Sequence, residues 1–179
     1  MSKPDRESCI AETKEWISKM VLGLNLCPFA HQPFAKDLIR YVILGPDRAV
    51  IQQISEEIKV LLEAPTEEIE TTLIILEEEI SFMPYLNLID QVERLIADQG
   101  YEGIVQVASF HPDYQFSDLS SDDVRNSTNR SPYAMIHLLR EESISLAVLQ
   151  HGNTEQIPVD NQARLLDLGP AGIKELLNN

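Results

Sequence analysis

Three short runs of β-forming residues, 38–44 (LIRYVIL), 71–76 (TTLIIL) and 104–110 (IVQVASF), alternate with helical patterns, and this alternation restricts the fold more than any other feature. Ahead of them, Ile10, Thr13, Ile17, Met20, Val21 and Leu24 recur at three- and four-residue spacing. That stripe predicts a helix over 8–22, with Gly23 suited to its C-terminal cap and Cys9 a packing residue beside it. Residues 24–37 carry two prolines and the aromatic pair Phe29 and Phe34, which predicts a packed loop. Gly45-Pro46-Asp47 is a turn signal that opens a helix through Val50, Ile54, Ile58 and Leu61 to about Glu63. Another helix starts at Pro84 and stops at Gly100.

Beyond the third run, Ser131-Pro132 reads as a helix cap with proline in the first turn, which predicts a helix over 133–141. Residues 143–150 fit a short helix or a strand, and 159–168 and 173–177 look helical. The expected class is therefore α/β: one domain with a small three- or four-stranded sheet of β-α-β units, helices on both faces and a helical C-terminal third. The alternatives are a ferredoxin-like α+β arrangement, or a sheet in which 143–150 is the fourth strand.

Charge narrows the partners. Twenty-nine acidic residues against 14 Lys and Arg give a net charge of −15, which repels a phosphate backbone over most of the surface, so nucleic acid is not an expected partner. The longest early apolar stretch, 20–26, is interrupted by Gly23 and Asn25 and falls far short of the ~20 residues of a membrane span. A soluble, cytosolic protein is expected, with Cys9 and Cys27 as thiols. In that compartment the glycosylation-like triplets at Asn126 and Asn129 carry no chemistry.

The acidity is uneven. Residues 56–79 hold nine glutamates and one lysine, whereas Arg125, Arg130 and Arg140 fall within 110–141 (FHPDYQFSDLSSDDVRNSTNRSPYAMIHLLRE). That segment also holds His111, His137, Tyr114 and Tyr133, and it follows a β-run, where a rigid element can position polar side chains. In a doubly wound sheet ligands bind beyond the carboxyl ends of the strands, and His111 lies immediately beyond the third. An imidazole there can act as acid or base, or serve as a hydrogen-bonded structural group.

Asn126, Asn129, Arg130 and Ser131 precede the expected helix, whose free amides would favour a small anion with Arg130 as a planar fork. They are equally ordinary turn and cap residues. On that helix Tyr133, His137, Arg140 and Glu141 would form one polar line, bordering the site or facing solvent as local ion pairs. Tyr114, His137 and Arg140 complete the set of expected substrate contacts.

Cys27 can act as a nucleophile only if His31 or His111 lowers its pKa, and its flanks Leu26, Pro28 and Phe29 suit an inert buried thiol as well. Cys27, His31 and His111 could together ligate a metal, but no paired short-spacing ligand motif supports this, and no cofactor is expected. GxGxxG, P-loop, GxSxG and HExxH motifs are all absent.

GLNLCPFA at 23–30, FHPDYQF at 110–116, and TNRSPY followed by HLLRE within 128–141 together resemble a bacterial family of conserved proteins known only as a domain of unknown function. The resemblance groups Cys27 and Pro28, His111 and Pro112, and Asn129 to Pro132 as signature positions, without assigning them roles. The leading expectation is a cytosolic small-molecule enzyme of hydrolase or transferase type acting on an anionic substrate, with His111 as acid or base, Cys27 as possible nucleophile and Arg130 as anion holder. The rival is a non-catalytic binding or scaffold module using the 111–131 loop and the acidic surface.

Overall fold

The computed structural model describes residues 5–45 and 49–178, so Pro46 and Asp47 of the expected turn lie outside the described residues. Helix α1 (Arg6–Trp16) begins earlier than its apolar stripe, because Asp5 Oδ1 accepts the Ser8 N–H at 2.8 Å as an N-cap. It continues as a π-helical segment, Ile17–Leu22, ending at Gly23. Gly23 is needed for close approach and not for a left-handed turn: its φ is −60°, and a Cβ there would stand 2.2 Å from Lys19 O. The expected loop after it contains a 3₁₀ turn (Pro28–Ala30) and a short helix, α2 (His31–Ala35).

Strand β1 (Ile39–Leu44), helix α3 (Val50–Glu63), strand β2 (Thr71–Leu76), helix α4 (Phe82–Asp98) and strand β3 (Val105–Phe110) then alternate as the sequence pattern implies. The next element departs from expectation. Residues 135–140 form strand β4 (Met135–Arg140), not a helix, and β4 lies between β2 and β3, antiparallel to both. Sheet order is β1-β2-β4-β3, with β1 and β2 parallel, so the arrangement is not the ferredoxin-like alternative. The fourth strand is therefore 135–140, whereas 143–150 belongs to helix α5 (Glu141–His151). Helix α6 (Gln156–Asn178) completes the helical C-terminal stretch.

β4 forms a strand where its sequence pattern favours a helix, for a physical reason. A central strand covered on both faces reads as a near-continuous apolar run, and MIHLLR contains good helix formers, so only its ladders with β2 and β3 fix the conformation. On one face Ile74, Ile136 and Leu138 pack with Ile54, Ile58 and Leu61 of α3 and Tyr85, Val92 and Ile96 of α4. On the other, Leu73, Ile75 and Met135 pack with Trp16, Ile17 and Met20 and with Leu165 and Ile173 of α6. The carboxyl ends of β1, β2 and β3 thus share one edge with the start of β4, and the 111–134 connection crosses it.

Candidate functional site

His111 sits just past β3 and is 2% exposed. Its Nδ1 accepts the Asp113 N–H at 2.9 Å, so Nε2 carries the proton and donates to Ile80 O at 2.8 Å. Phe82 and Tyr85 flank the ring with centroids 5.2 and 5.0 Å away, and the His111 N–H bonds Asn129 O at 3.2 Å. In this geometry the imidazole braces three segments, and exchanging a proton with a substrate would require breaking one of its bonds.

The neighbouring expected ligands turn inward on the loop. Asn126, fully buried, accepts the Phe116 N–H through Oδ1 at 3.0 Å and donates Nδ2–H to Ser120 O at 2.7 Å. Asn129 Nδ2 donates to Ser109 O at 3.0 Å, and Ser131 Oγ to Tyr133 O at 2.6 Å. Tyr114 packs edge-to-face with both Phe82 and Phe116, and its carbonyl accepts Arg130 Nε–H at 3.1 Å. Because a strand follows, no helix N-terminus stands beyond Ser131 to supply the expected free amides.

The strand also separates the expected polar line, since residues three apart on a strand point to opposite faces. Arg140 turns to the α3 side, where its Nη2 donates to Leu61 O, to Ala64 O at 2.6 Å and to Ile69 O at 3.0 Å. It closes the C-terminal end of α3. His137 turns to the other side, and Thr71 Oγ1 both donates to Leu138 O at 2.6 Å and accepts His137 Nε2–H at 2.7 Å.

Desolvation lowers the His137 pKa from 6.5 to about 4. The unfolded chain therefore takes up this proton first as pH falls. Stability from the neutral ring is complete above about pH 6.5 and declines toward pH 4. From this group alone the protein is expected to be about 2 kcal/mol less stable at pH 5 than at pH 7. Urea unfolding of wild type and His137→Gln at both pH values checks this, since the variant loses that part of the pH dependence.

Cys27, the residue before the 3₁₀ turn, is half-buried, and burial pushes its thiol up, outweighing the lowering by the Phe29 and Ala30 amides. That is the reverse of nucleophile activation. His31 bonds Asn25 Oδ1 at 3.2 Å, and among the described residues no three His, Cys, Asp or Glu side chains gather as a metal site. Iodoacetamide at pH 8, followed by peptide mapping, is expected to modify Cys27 at least about threefold more slowly than free cysteine.

A cavity of about 610 Å³ lies between the first helix, the 112–132 loop and the end of α6, within the ~300–1,000 Å³ range of small-molecule sites. Arg130 and Ser131 line it, but His111, Cys27, Asn126, Asn129, Tyr114, His137 and Arg140 do not. Its apolar wall includes Trp16, Met20 and Ile173, and its charges include Lys19, Lys174, Glu12 and Glu15. The π-helical turn, a feature often found at functional sites, carries Lys19 and Met20 on this wall.

Most of these charges are already matched. Lys19 Nζ meets Glu15 Oε1 at 2.5 Å and Leu177 O at 3.2 Å, and Glu12 Oε2 accepts the Tyr133 hydroxyl at 2.6 Å. Burial, then Glu12, holds that phenol far above its usual range. Asp122 is solvent-exposed and accepts from Ser120 Oγ at 2.6 Å. Arg130 gives Nε to Tyr114 O and Nη2 to Ser121 O at 2.5 Å, which leaves Nη1, like Lys174 Nζ, without a hydrogen bond among the described residues.

Sequence reasoning singled out Arg130 and Ser131 but not Trp16, Lys19 or Lys174. The available signal was the interruption at 169–172 between two helical patterns, which marks a bend in α6 beside this cavity.

Fold and cavity define a mixed α/β protein with helices on both faces of its sheet and a small-molecule-sized cleft beside the signature loop. Residues 8–175 match the family model described as a protein of unknown function, DUF1415, and the chain belongs to that family. No curated protein and no solved structure matches it. Among the described residues no helix is long and apolar enough to cross a membrane.

Proposed function

We propose that the chain is a cytosolic small-molecule protein whose cavity takes an anionic organic ligand, with the charged group on Arg130 and Lys174 and an apolar body against Trp16, Met20 and Ile173. The observation that carries this reading is Arg130: two backbone carbonyls hold its guanidinium in the cavity wall, and Nη1 has no partner among the described residues. A fork held in advance loses little freedom on binding a carboxylate or phosphate. Two free thiols fit a reducing compartment.

Trp16 is the sole tryptophan of the chain and lines the cavity, so its emission reads occupancy directly. Benzoate and phenylphosphate are expected to perturb it saturably, and neutral benzyl alcohol at least about tenfold more weakly. Arg130→Gln and Lys174→Gln should each weaken the anions by about tenfold. The second variant is the cleaner test, because Lys174 bonds nothing else among the described residues. Equal response to neutral and anionic probes, or no effect of either variant, would sink the reading.

An enzymatic form of the same site is favoured by Glu12, a carboxylate on the cavity wall whose Oε2 is fixed by the Tyr133 hydroxyl. It could serve as base in a hydrolase or transferase step on the bound anion. Loss of turnover in Glu12→Gln with unchanged affinity would separate this from simple binding. The protein-recognition module has less support, because Asn126 and Asn129 bond back onto the loop's own surroundings.

A further inference from the structure

The segment 170–178 supplies Pro170, Ile173, Lys174 and Leu177 to the cavity, yet it is joined to the rest of α6 by one residue that is not helical. Gly169 has φ 63° and ψ 174°, a region essentially restricted to glycine. Pro170 follows at once and has no N–H to donate to the turn before it, which removes one backbone hydrogen bond at the kink. Gly172 lets the second half fold close over the first, since a Cβ would stand 2.7 Å from Leu168 Cγ.

The two halves are also held differently. The first is tied to the body of the protein, with Leu165 fully buried and Asn161 Nδ2 donating to Leu26 O at 2.7 Å. The second packs Ile173, 9% exposed, and Leu176 against the cluster around Trp16, and its one side-chain hydrogen bond to the body among the described residues is Lys19 Nζ on the Leu177 carbonyl at 3.2 Å. Lys19 is itself a cavity residue paired with Glu15.

We infer that residues 170–178 are a hinged lid over the cavity, turning at Gly169 and latched by Lys19 on the Leu177 carbonyl. The lid admits ligand when it swings, and when shut it brings Lys174 against the bound anion opposite Arg130 on the loop. The inference rests on the cavity being the binding site, but the motion itself can be measured without any ligand. Because the lid moves as a helix and keeps its internal hydrogen bonds, the fitting readout is access to the cavity wall and not loss of helicity.

Acrylamide quenching of Trp16 in the intact chain provides that readout, because Trp16 is only 5% exposed under the shut lid. Lys19→Met removes the latch donor and Gly169→Ala strains the hinge from outside the cavity lining. Each is expected to raise the quenching constant by at least about twofold with far-UV circular dichroism unchanged. Phenylphosphate should return the Gly169→Ala value toward wild type. Should Gly169→Ala fail to fold, Lys19→Met carries the test by itself. Quenching like wild type in the folded variants would overturn the lid and make 170–178 a static wall. A rise in quenching with no response to phenylphosphate would uphold the lid and remove the ligand reading beneath it.

Discussion

Replacing His111 with alanine is expected to lower the free energy of unfolding by about 4 kcal/mol, measured by urea denaturation at pH 7.5. The ring is 2% exposed and packed between Phe82 and Tyr85, so its loss opens a cavity of aromatic size. It also strips partners from the Ile80 carbonyl and the Asp113 amide, at about 1–2 kcal/mol each, and part of this overlaps with the packing loss. The expected variant is thus damaged in its fold before any question of chemistry arises. A loss under about 1 kcal/mol would show that the ring is not a brace.

The second large effect belongs to Arg140. Helix α3 ends at Glu63, where terminal carbonyls lack intrahelical partners, and the Arg140 guanidinium reaches Leu61 O, Ala64 O and the Ile69 carbonyl beyond them. Arg140→Met keeps the stem and removes every donor, and is expected to cost about 3 kcal/mol. Arg140→Lys should restore less than half of that, because the shorter and more strongly hydrated ammonium does not reach the carbonyls that Nη2 holds at the end of the guanidinium. Ligand affinity of the folded Arg140→Met protein at the cavity should stay within about threefold of wild type, which separates a clamp on α3 from a substrate contact.

The β-α-β-α-β stretch from β1 to β3 was legible because each element obeys its own period: α3 and α4 present one apolar stripe, and β2 is a short β-branched run. Strand β4 was not, because its conformation comes from neighbours far away in sequence. That single error carried into the site. It supplied Asn126 to Ser131 with a helix N-terminus to stand before, and it put His137 and Arg140 on one face when they point to opposite sides of the sheet.

His111 was located correctly at the end of a strand, but a sequence cannot show that Ile80 O and the Asp113 amide occupy both of its nitrogens. Arg130 remains because its forked side chain can bond two carbonyls and still offer an edge. Lys174 and Trp16 could be joined to it only by the fold, which brings opposite ends of the chain to one cavity.

Backbone and indole chemical-shift mapping of the ¹⁵N-labelled protein during a phenylphosphate titration tests most directly whether that cavity is the working site. Saturable shifts are predicted at the Trp16 indole, Lys19, Ser127, Ser131 and Lys174, with residues 27–31 unmoved. Shifts that gather around Cys27 and His31 instead, or that never saturate anywhere, would contradict it.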